Sequence, residues 1–175
     1  MRLTYYPDPV LLRPAERILV VTEEIRAKAL AMVPFMKLEG GVGLAAPQVG
    51  WGVSLLLASE DGEPENTKVL VNPRIASHGE DQVWGEEGCL SFPEIYGEVL
   101  RYKDVVVEAT DLDGNPLSVV ATDFFARVLQ HEVDHLEGKL FIDRMRPADK
   151  EKNRLLLFEM ERKYAKSTRA PESAR

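Results

Sequence analysis

The sequence predicts an α+β fold in which mainly antiparallel sheets pack around a central helix, with further helices towards the N- and C-terminal ends. Two observations predict it: short β-type runs fill the middle of the chain, and helix-type stretches precede and follow them. No repeat or interdomain linker interrupts the 175 residues. We therefore expect a single domain over 1–165 and a flexible tail over 166–175.

The first helix is predicted over 22–38. Thr22 is a suitable N-cap, and two glutamates follow it in the first turn. The apolar stripe that would face the core consists of Ile25, Ala29, Met32, Val33 and Met36. The segment 39–41, Glu-Gly-Gly, should end this helix.

Four β-type runs come next, at 53–58, 68–71, 105–110 and 117–121. Turn-forming residues at 111–116 separate the last two, which predicts a hairpin. A mainly antiparallel sheet is the expected result.

The central helix is predicted to begin at Thr122 or Asp123 and to end at Gly138. One helical stripe joins two apolar side chains and two imidazoles, namely Phe124, Val128, His131 and His135. We expect the apolar half to anchor the helix in the core and the histidine half to face a cleft.

A last helix is predicted from Pro147 to about residue 164, with Leu155, Leu156 and Phe158 as its apolar side. After residue 167 the chain is expected to fray.

Composition limits the classes of protein to which the chain can belong. Contents of 45% hydrophobic and 29% charged residues are ordinary for a soluble globular protein. No apolar run is long enough to span a membrane, and the first residues do not form a signal peptide, so we expect a cytoplasmic protein with no membrane partner. The single cysteine excludes an internal disulfide and fits a reducing compartment.

The charge of the chain is uneven. The net charge of −7 argues against wholesale nucleic-acid binding, yet residues 148–175 carry eight Lys/Arg and five Asp/Glu, a local net of +3. This segment is either a solvated helix face or a weak contact with an RNA surface.

The motif His131-Glu132-Val133-Asp134-His135 indicates a metal site. Histidines at i and i+4 lie on one helix face and can bind the same divalent ion, while Glu132 stays close without being a ligand. Such an arrangement is typical of metal-assisted hydrolysis. A catalytic metal needs a third ligand, and the only other His and Cys in the chain are His78 and Cys89.

Three segments together closely resemble the three motifs of the peptide deformylase family, in the same order and with matching separations: GVGLAAPQ at 41–48, EGCLS at 87–91 and QHEVDH at 130–135. The resemblance extends over most of the chain and includes the segments 7–11, 71–73 and 136–143. One departure is Tyr96, which stands where the family usually has an arginine, and it should alter how a peptide is held.

The resemblance implies that Cys89, His131 and His135 hold one divalent metal, typically iron(II) with nickel, cobalt or zinc as substitutes, and leave a fourth position open. Glu132 would transfer protons. The Gln48 side-chain amide and the Leu90 backbone N–H would stabilise the oxyanion. The implied reaction removes the N-formyl group from the initiator methionine of nascent polypeptides and releases formate.

The substrate is expected to lie as an extended strand along the backbone of Val42, Gly43 and Gly88. Val42, Phe124 and Val128 would line the methionine pocket, although Phe124 and Val128 are equally ordinary core positions on their stripe. The expected partners are N-formylmethionyl nascent peptides, with a weak ribosome contact through the C-terminal helix and tail.

Two other functions use the same motif. A zincin-like endopeptidase would need a downstream third ligand, for which Glu137 and Asp143 are available. A catalytically silent, metal-stabilised binding module on the ribosome would close the site with a fourth protein ligand such as His78, which would leave Gln48 and Glu132 without a role.

Overall fold

The structure is a computed structural model that describes residues 1–168. Five antiparallel strands form one sheet in the order β1-β2-β3-β6-β7, and β4 and β5 form a separate hairpin. The elements are α1 Glu23–Leu38, β1 Gly43–Ala45, β2 Leu55–Ala58, β3 Lys68–His78, β4 Gln82–Cys89, β5 Phe92–Tyr102, β6 Asp104–Thr110, β7 Pro116–Thr122, α2 Asp123–Leu136, α3 Phe141–Arg144, α4 Pro147–Lys152 and α5 Arg154–Thr168.

Helix α2 lies at the centre of the molecule and is buried along most of its length. Its apolar residues, among them Leu129 and Val133, pack against Leu56, Leu70 and Val107 of the large sheet. This side of the helix therefore forms the main core with the sheet.

Two further apolar clusters complete the packing. Helix α1 covers the sheet through Ala29, Met32 and Met36. The β4–β5 hairpin packs through Phe92 and other apolar side chains against α3, which brings Phe141 close to α2. Because α2 lies between the large sheet and the hairpin, side chains from all three can meet at one place.

The predicted fold class is confirmed, and so are α1, the β6–β7 hairpin and the extent of α2. Thr22 caps α1 as expected, because its Oγ1 accepts the Ile25 N–H at 3.3 Å. Strand β3 extends far beyond residue 71, and neither β1 nor the β4–β5 hairpin was predicted.

The C-terminal helix was predicted incorrectly in two respects. It is two helices separated at Asn153, and its buried side chain is Leu157, whereas Leu155, Leu156 and Phe158 are exposed. Residues 166–168 of the predicted tail belong to α5, and 169–175 lie outside the described residues. The division into a domain over 1–165 and a tail stays a prediction. No helix within 1–168 has the length and apolar character needed to cross a membrane.

The end of α2 generates a stability prediction. Gly138 has a φ of +70°, and a Cβ at this position would lie 2.7 Å from the backbone carbonyl carbon of Arg13. Gly114 has a similar φ of +83° but open space around it. Gly114→Ala should therefore cost about 1–2 kcal/mol for the left-handed conformation alone, and Gly138→Ala should cost about 1–3 kcal/mol more because of the collision.

Urea unfolding of the two variants measures this difference. Equal losses of unfolding free energy in the two variants would contradict the close approach of the chain after α2 to the N-terminal segment.

Candidate active site

Three side chains that could hold a metal converge between α2 and the hairpin. His131 and His135 lie one helical turn apart on α2, with ring centroids 5.0 Å apart. Cys89 ends β4 and places its Sγ 3.3 Å from Nε2 of His135. One donor atom from each of the three residues lies within 4.8 Å of the others.

This donor set fits a divalent metal. A thiolate and two imidazoles suit iron(II), cobalt, nickel or zinc, and three protein ligands leave a coordination position for a substrate. Nδ1 of His131 contacts Glu87 at 2.9 Å, which leaves Nε2 as the nitrogen available to a metal. His78 lies elsewhere, stacked on Tyr102 with a centroid separation of 3.6 Å. It is not available as a fourth ligand in this arrangement, which argues against the closed site of a silent binding module.

The downstream carboxylates predicted as alternative ligands have other tasks. Glu137 is paired on the surface with Lys139. Asp143 accepts the Leu140 N–H at 3.0 Å and so caps α3. Neither carboxylate belongs to the group of Cys89, His131 and His135 that could hold a metal. This argues against the hypothesis of a zincin-like endopeptidase.

Glu132 is buried beside these three residues. It lines a cavity that Cys89 and His131 also line. Its Oε2 has no hydrogen-bond partner among residues 1–168. The backbone of β1 approaches the carboxylate so closely that a Cβ on Gly43 would lie 2.8 Å from its Cγ and Cδ. Burial raises the pKa of Glu132 to about 7, a value suited to proton exchange near neutral pH.

Gln48 also lines the cavity and is fixed in position. Its Oε1 accepts the Ala45 N–H at 2.8 Å, and its Nε2 donates to Cys89 Sγ at 3.4 Å. Because a carboxamide nitrogen carries two protons, one N–H stays available for a substrate oxygen. Leu90 lies in the turn of the hairpin, and its backbone N–H has no partner within the described residues. Both groups are therefore able to donate into the cavity.

The cavity has a volume of about 520 Å³ and brings together every predicted site residue except His135, which lies behind Cys89. The expected substrate-binding residues all line it: Val42, Gly43, Gly88, Phe124 and Val128.

The expectation that Phe124 anchors α2 in the core is wrong. Its side chain is 56% exposed and lines the cavity, whereas Phe125 and Ala126 in the same turn of α2 are buried in the core. Val128 is buried in the core and also lines the cavity. Tyr96 is half-exposed and lies against Gly88, where a Cβ would be 2.5 Å from its ring.

A buried ionic cluster behind the histidines is absent from the sequence predictions. Arg101 donates to Glu87 and to Asp134, and Arg127 donates to Glu87 and to backbone carbonyls of the hairpin. Burial alone would raise the pKa of Glu87, but hydrogen bonds from Arg101 and His131 outweigh it and hold that pKa below its usual range. A signal for Glu87 existed, since it precedes Cys89 by two residues in the same motif, but nothing in the sequence pointed to Arg101.

A buried helix with two histidines and a glutamate, a cysteine beside them and amide donors in the same cavity is an arrangement typical of metal-dependent hydrolases. The profile of the family described as polypeptide deformylase matches residues 1–151. The chain belongs to this family, whose known role is the deformylation of nascent peptides.

The chain is 41% identical to peptide deformylase 1B, chloroplastic/mitochondrial, of Arabidopsis thaliana, over 100% of this chain and 65% of that protein. It is 43% identical to a peptide deformylase of Endomicrobium trichonymphae, over 82% of this chain and 84% of that one. The chain thus spans slightly less than two thirds of the length of the plant relative.

Solved structures give the same result. A crystal structure of Arabidopsis peptide deformylase 1B with an inhibitor matches with a TM-score of 0.93 at 41% identity, covering 100% of this chain and 98% of that one. A Plasmodium falciparum peptide deformylase matches with a TM-score of 0.92 at 34% identity, covering 97% and 100%.

The metal site generates a prediction that needs no activity assay. Cys89→Ala should purify with most of its metal lost, because the two histidines alone bind a divalent ion weakly. Ser91→Ala is the matched control, since its buried hydroxyl lies in the same turn and belongs to no metal-ligand group. Elemental analysis of both proteins measures the outcome. Near-stoichiometric, tightly held metal in Cys89→Ala would exclude the thiolate as a ligand.

Proposed function

We propose that this chain removes the formyl group from the initiator methionine of nascent polypeptides and releases formate, with Cys89, His131 and His135 holding the metal. The observation that carries the proposal is the buried carboxylate of Glu132, which lies beside the three ligand atoms and has one oxygen with no hydrogen-bond partner within 1–168. Iron(II) is the proposed native metal, with nickel, cobalt or zinc as substitutes. When bound, the metal supplies Lewis-acid polarisation and makes water more acidic.

In the proposed reaction, Glu132 takes a proton from the water that attacks the formyl carbon. It then delivers this proton to the amine nitrogen as the C–N bond breaks, so that formate and a free amino terminus result. The positive charge of a bound cation would favour the carboxylate form of Glu132 and prepare it as a base.

The developing negative charge lies on the former formyl oxygen. We assign its stabilisation to the free N–H of the Gln48 amide and to the Leu90 backbone N–H. Both donors are uncharged and are fixed before the substrate arrives, so they stabilise the oxyanion without competing for the metal.

The substrate is proposed to pair as an extended strand with the backbone at Val42, Gly43 and Gly88, which all line the cavity. The methionine side chain would contact Phe124 and Val128. A half-exposed phenylalanine beside a buried valine offers an apolar surface that is reachable from solvent.

Glu132→Gln tests the proton-transfer role. The variant should bind metal as the parent does but lose several orders of magnitude in kcat on a formyl-Met peptide, because removal and donation of the proton both fail. Glu137→Gln is the matched control, a surface glutamate at the end of the same helix that should keep parental turnover. Formate release and metal content measure both variants. Parental turnover in Glu132→Gln would refute this mechanism, and loss of metal there would make Glu132 a ligand instead.

We further propose co-translational action in a bacterial-type cytoplasm, with a weak ribosome contact through α5. The support for the ribosome contact comes from the exposed side chains of this helix. Helix α5 presents Arg162, Lys163 and Lys166 to solvent together with the apolar side chains of Leu155 and Phe158. Cations spaced along an exposed helix are attracted to a phosphate-rich surface.

Charge reversal on α5 tests this contact. The double variant Arg162→Glu/Lys166→Glu should weaken co-sedimentation with 70S ribosomes and leave turnover of short formyl peptides unchanged, because neither side chain lines the cavity. Lys68→Glu/Lys103→Glu makes the same charge change on exposed residues elsewhere and serves as the control. Binding by the parent should also fall as salt rises. Co-sedimentation that ignores both salt and the α5 variant would rule the contact out.

A further inference from the structure

We propose that Glu87 is a positioning residue that orients the metal ligand His131, an inference that rests on the metal-dependent function proposed above. Oε2 of Glu87 lies 2.9 Å from Nδ1 of His131, and both side chains are buried. Glu87 stands two residues before Cys89 at the end of β4. This strand therefore supplies one metal ligand and also the partner of another.

The carboxylate of Glu87 is itself held rigidly. Arg101 binds it through two parallel hydrogen bonds, Nε to Oε1 at 2.8 Å and Nη2 to Oε2 at 3.0 Å. Arg127 adds a third at 2.9 Å. Bidentate arginine–carboxylate pairs fix geometry as well as charge, so Glu87 presents an acceptor to His131 at a constant position.

The chain of contacts continues to the surface. Arg101 also binds Asp134, which precedes His135 on α2, at 2.5 Å. Arg144 of α3 binds Asp134 at 2.6 and 2.8 Å. Asp134 is thus the second carboxylate that binds the buried guanidinium of Arg101. Unlike Glu87, it does not contact His131.

The contact with Glu87 decides which nitrogen of His131 faces the metal. An ionised carboxylate can only accept, so Nδ1 of His131 must carry the proton and Nε2 keeps its lone pair towards Cys89 and His135. A carboxylate behind a ligating imidazole also makes that imidazole a stronger ligand. For His135, Nδ1 contacts no protein acceptor within 1–168, so the effect of Glu87 is specific to one ligand.

The test compares Glu87→Gln with Asp134→Asn. Each variant neutralises one of the two carboxylates that bind Arg101. Both variants should therefore lower the unfolding midpoint temperature of the metal-free protein. Only Glu87→Gln should weaken the metal site, and we expect its dissociation constant for Zn²⁺, measured by chelator competition, to rise about 10–100-fold. The d–d absorption of bound Co²⁺ should change in the same variant alone. Equal losses of affinity in the two variants, or no loss in Glu87→Gln, would overturn the proposal.

A measurement on the unmodified protein covers the case in which Glu87→Gln does not fold. In the Zn²⁺-loaded parent labelled with ¹⁵N-histidine, His131 should show a proton on Nδ1 that exchanges slowly with solvent. A proton on Nε2, or none on either nitrogen, would refute the positioning role. Formate release by the same sample is scored separately, so failure of the proposed function and failure of this inference give different results.

Discussion

Burial of the polar side of α2 is the constraint on which the rest of the structure depends. His131, Glu132, Asp134 and His135 are all removed from solvent in one and a half helical turns. An isolated charge in such a place is strongly unfavourable. Arg101 and Arg144 meet the charge of Asp134, and Glu87 contacts Nδ1 of His131, whereas Glu132 Oε2 and His135 Nδ1 have no protein partner within 1–168. These pairs explain why the hairpin and α3 pack where they do.

The burial of these ion pairs has an electrostatic cost. A buried ion pair often contributes little net stability, since desolvation offsets the attraction, but removal of one member leaves a charge that nothing compensates. The cluster around Arg101 is therefore better understood as a device that fixes the positions of strand, hairpin and helix relative to one another. This fixed geometry would hold the three proposed metal ligands at constant positions.

The sequence predicted what depends on local spacing. The i, i+4 histidines, the Thr22 cap and the β6–β7 hairpin each follow from residues close together in the chain. The β4–β5 hairpin was missed because β4 is largely exposed and contains two glycines and two glutamates in place of alternating apolar residues. Arg101 was missed because its partners come from other elements, and only the folded chain brings them within reach.

Apolar periodicity also left open which side of an element is buried. Residues 155–158 are all apolar, and the docking of α5 against the hairpin selects Leu157 alone for burial. Asn153, between α4 and α5, donates its side-chain amide to the backbone carbonyls of Tyr96 and Asp149. For Phe124 the periodicity could not show that this side of the first turn of α2 lines the cavity while Phe125 and Ala126 pack in the core.

The close approach of Gly43 to Glu132 has a consequence for how the two positions can change during evolution. Gly43 holds no proton and binds no metal, yet the space that a side chain would occupy there is filled by the Glu132 carboxylate. The two residues are 89 positions apart in the sequence. A Cβ at 43 fits only if the carboxylate at 132 moves, whereas an isosteric change at 132 leaves this contact as it is. Evolutionary paths to a larger residue at 43 therefore depend on which residue stands at 132, and the constraint on this glycine comes from the volume of a distant neighbour in the sequence.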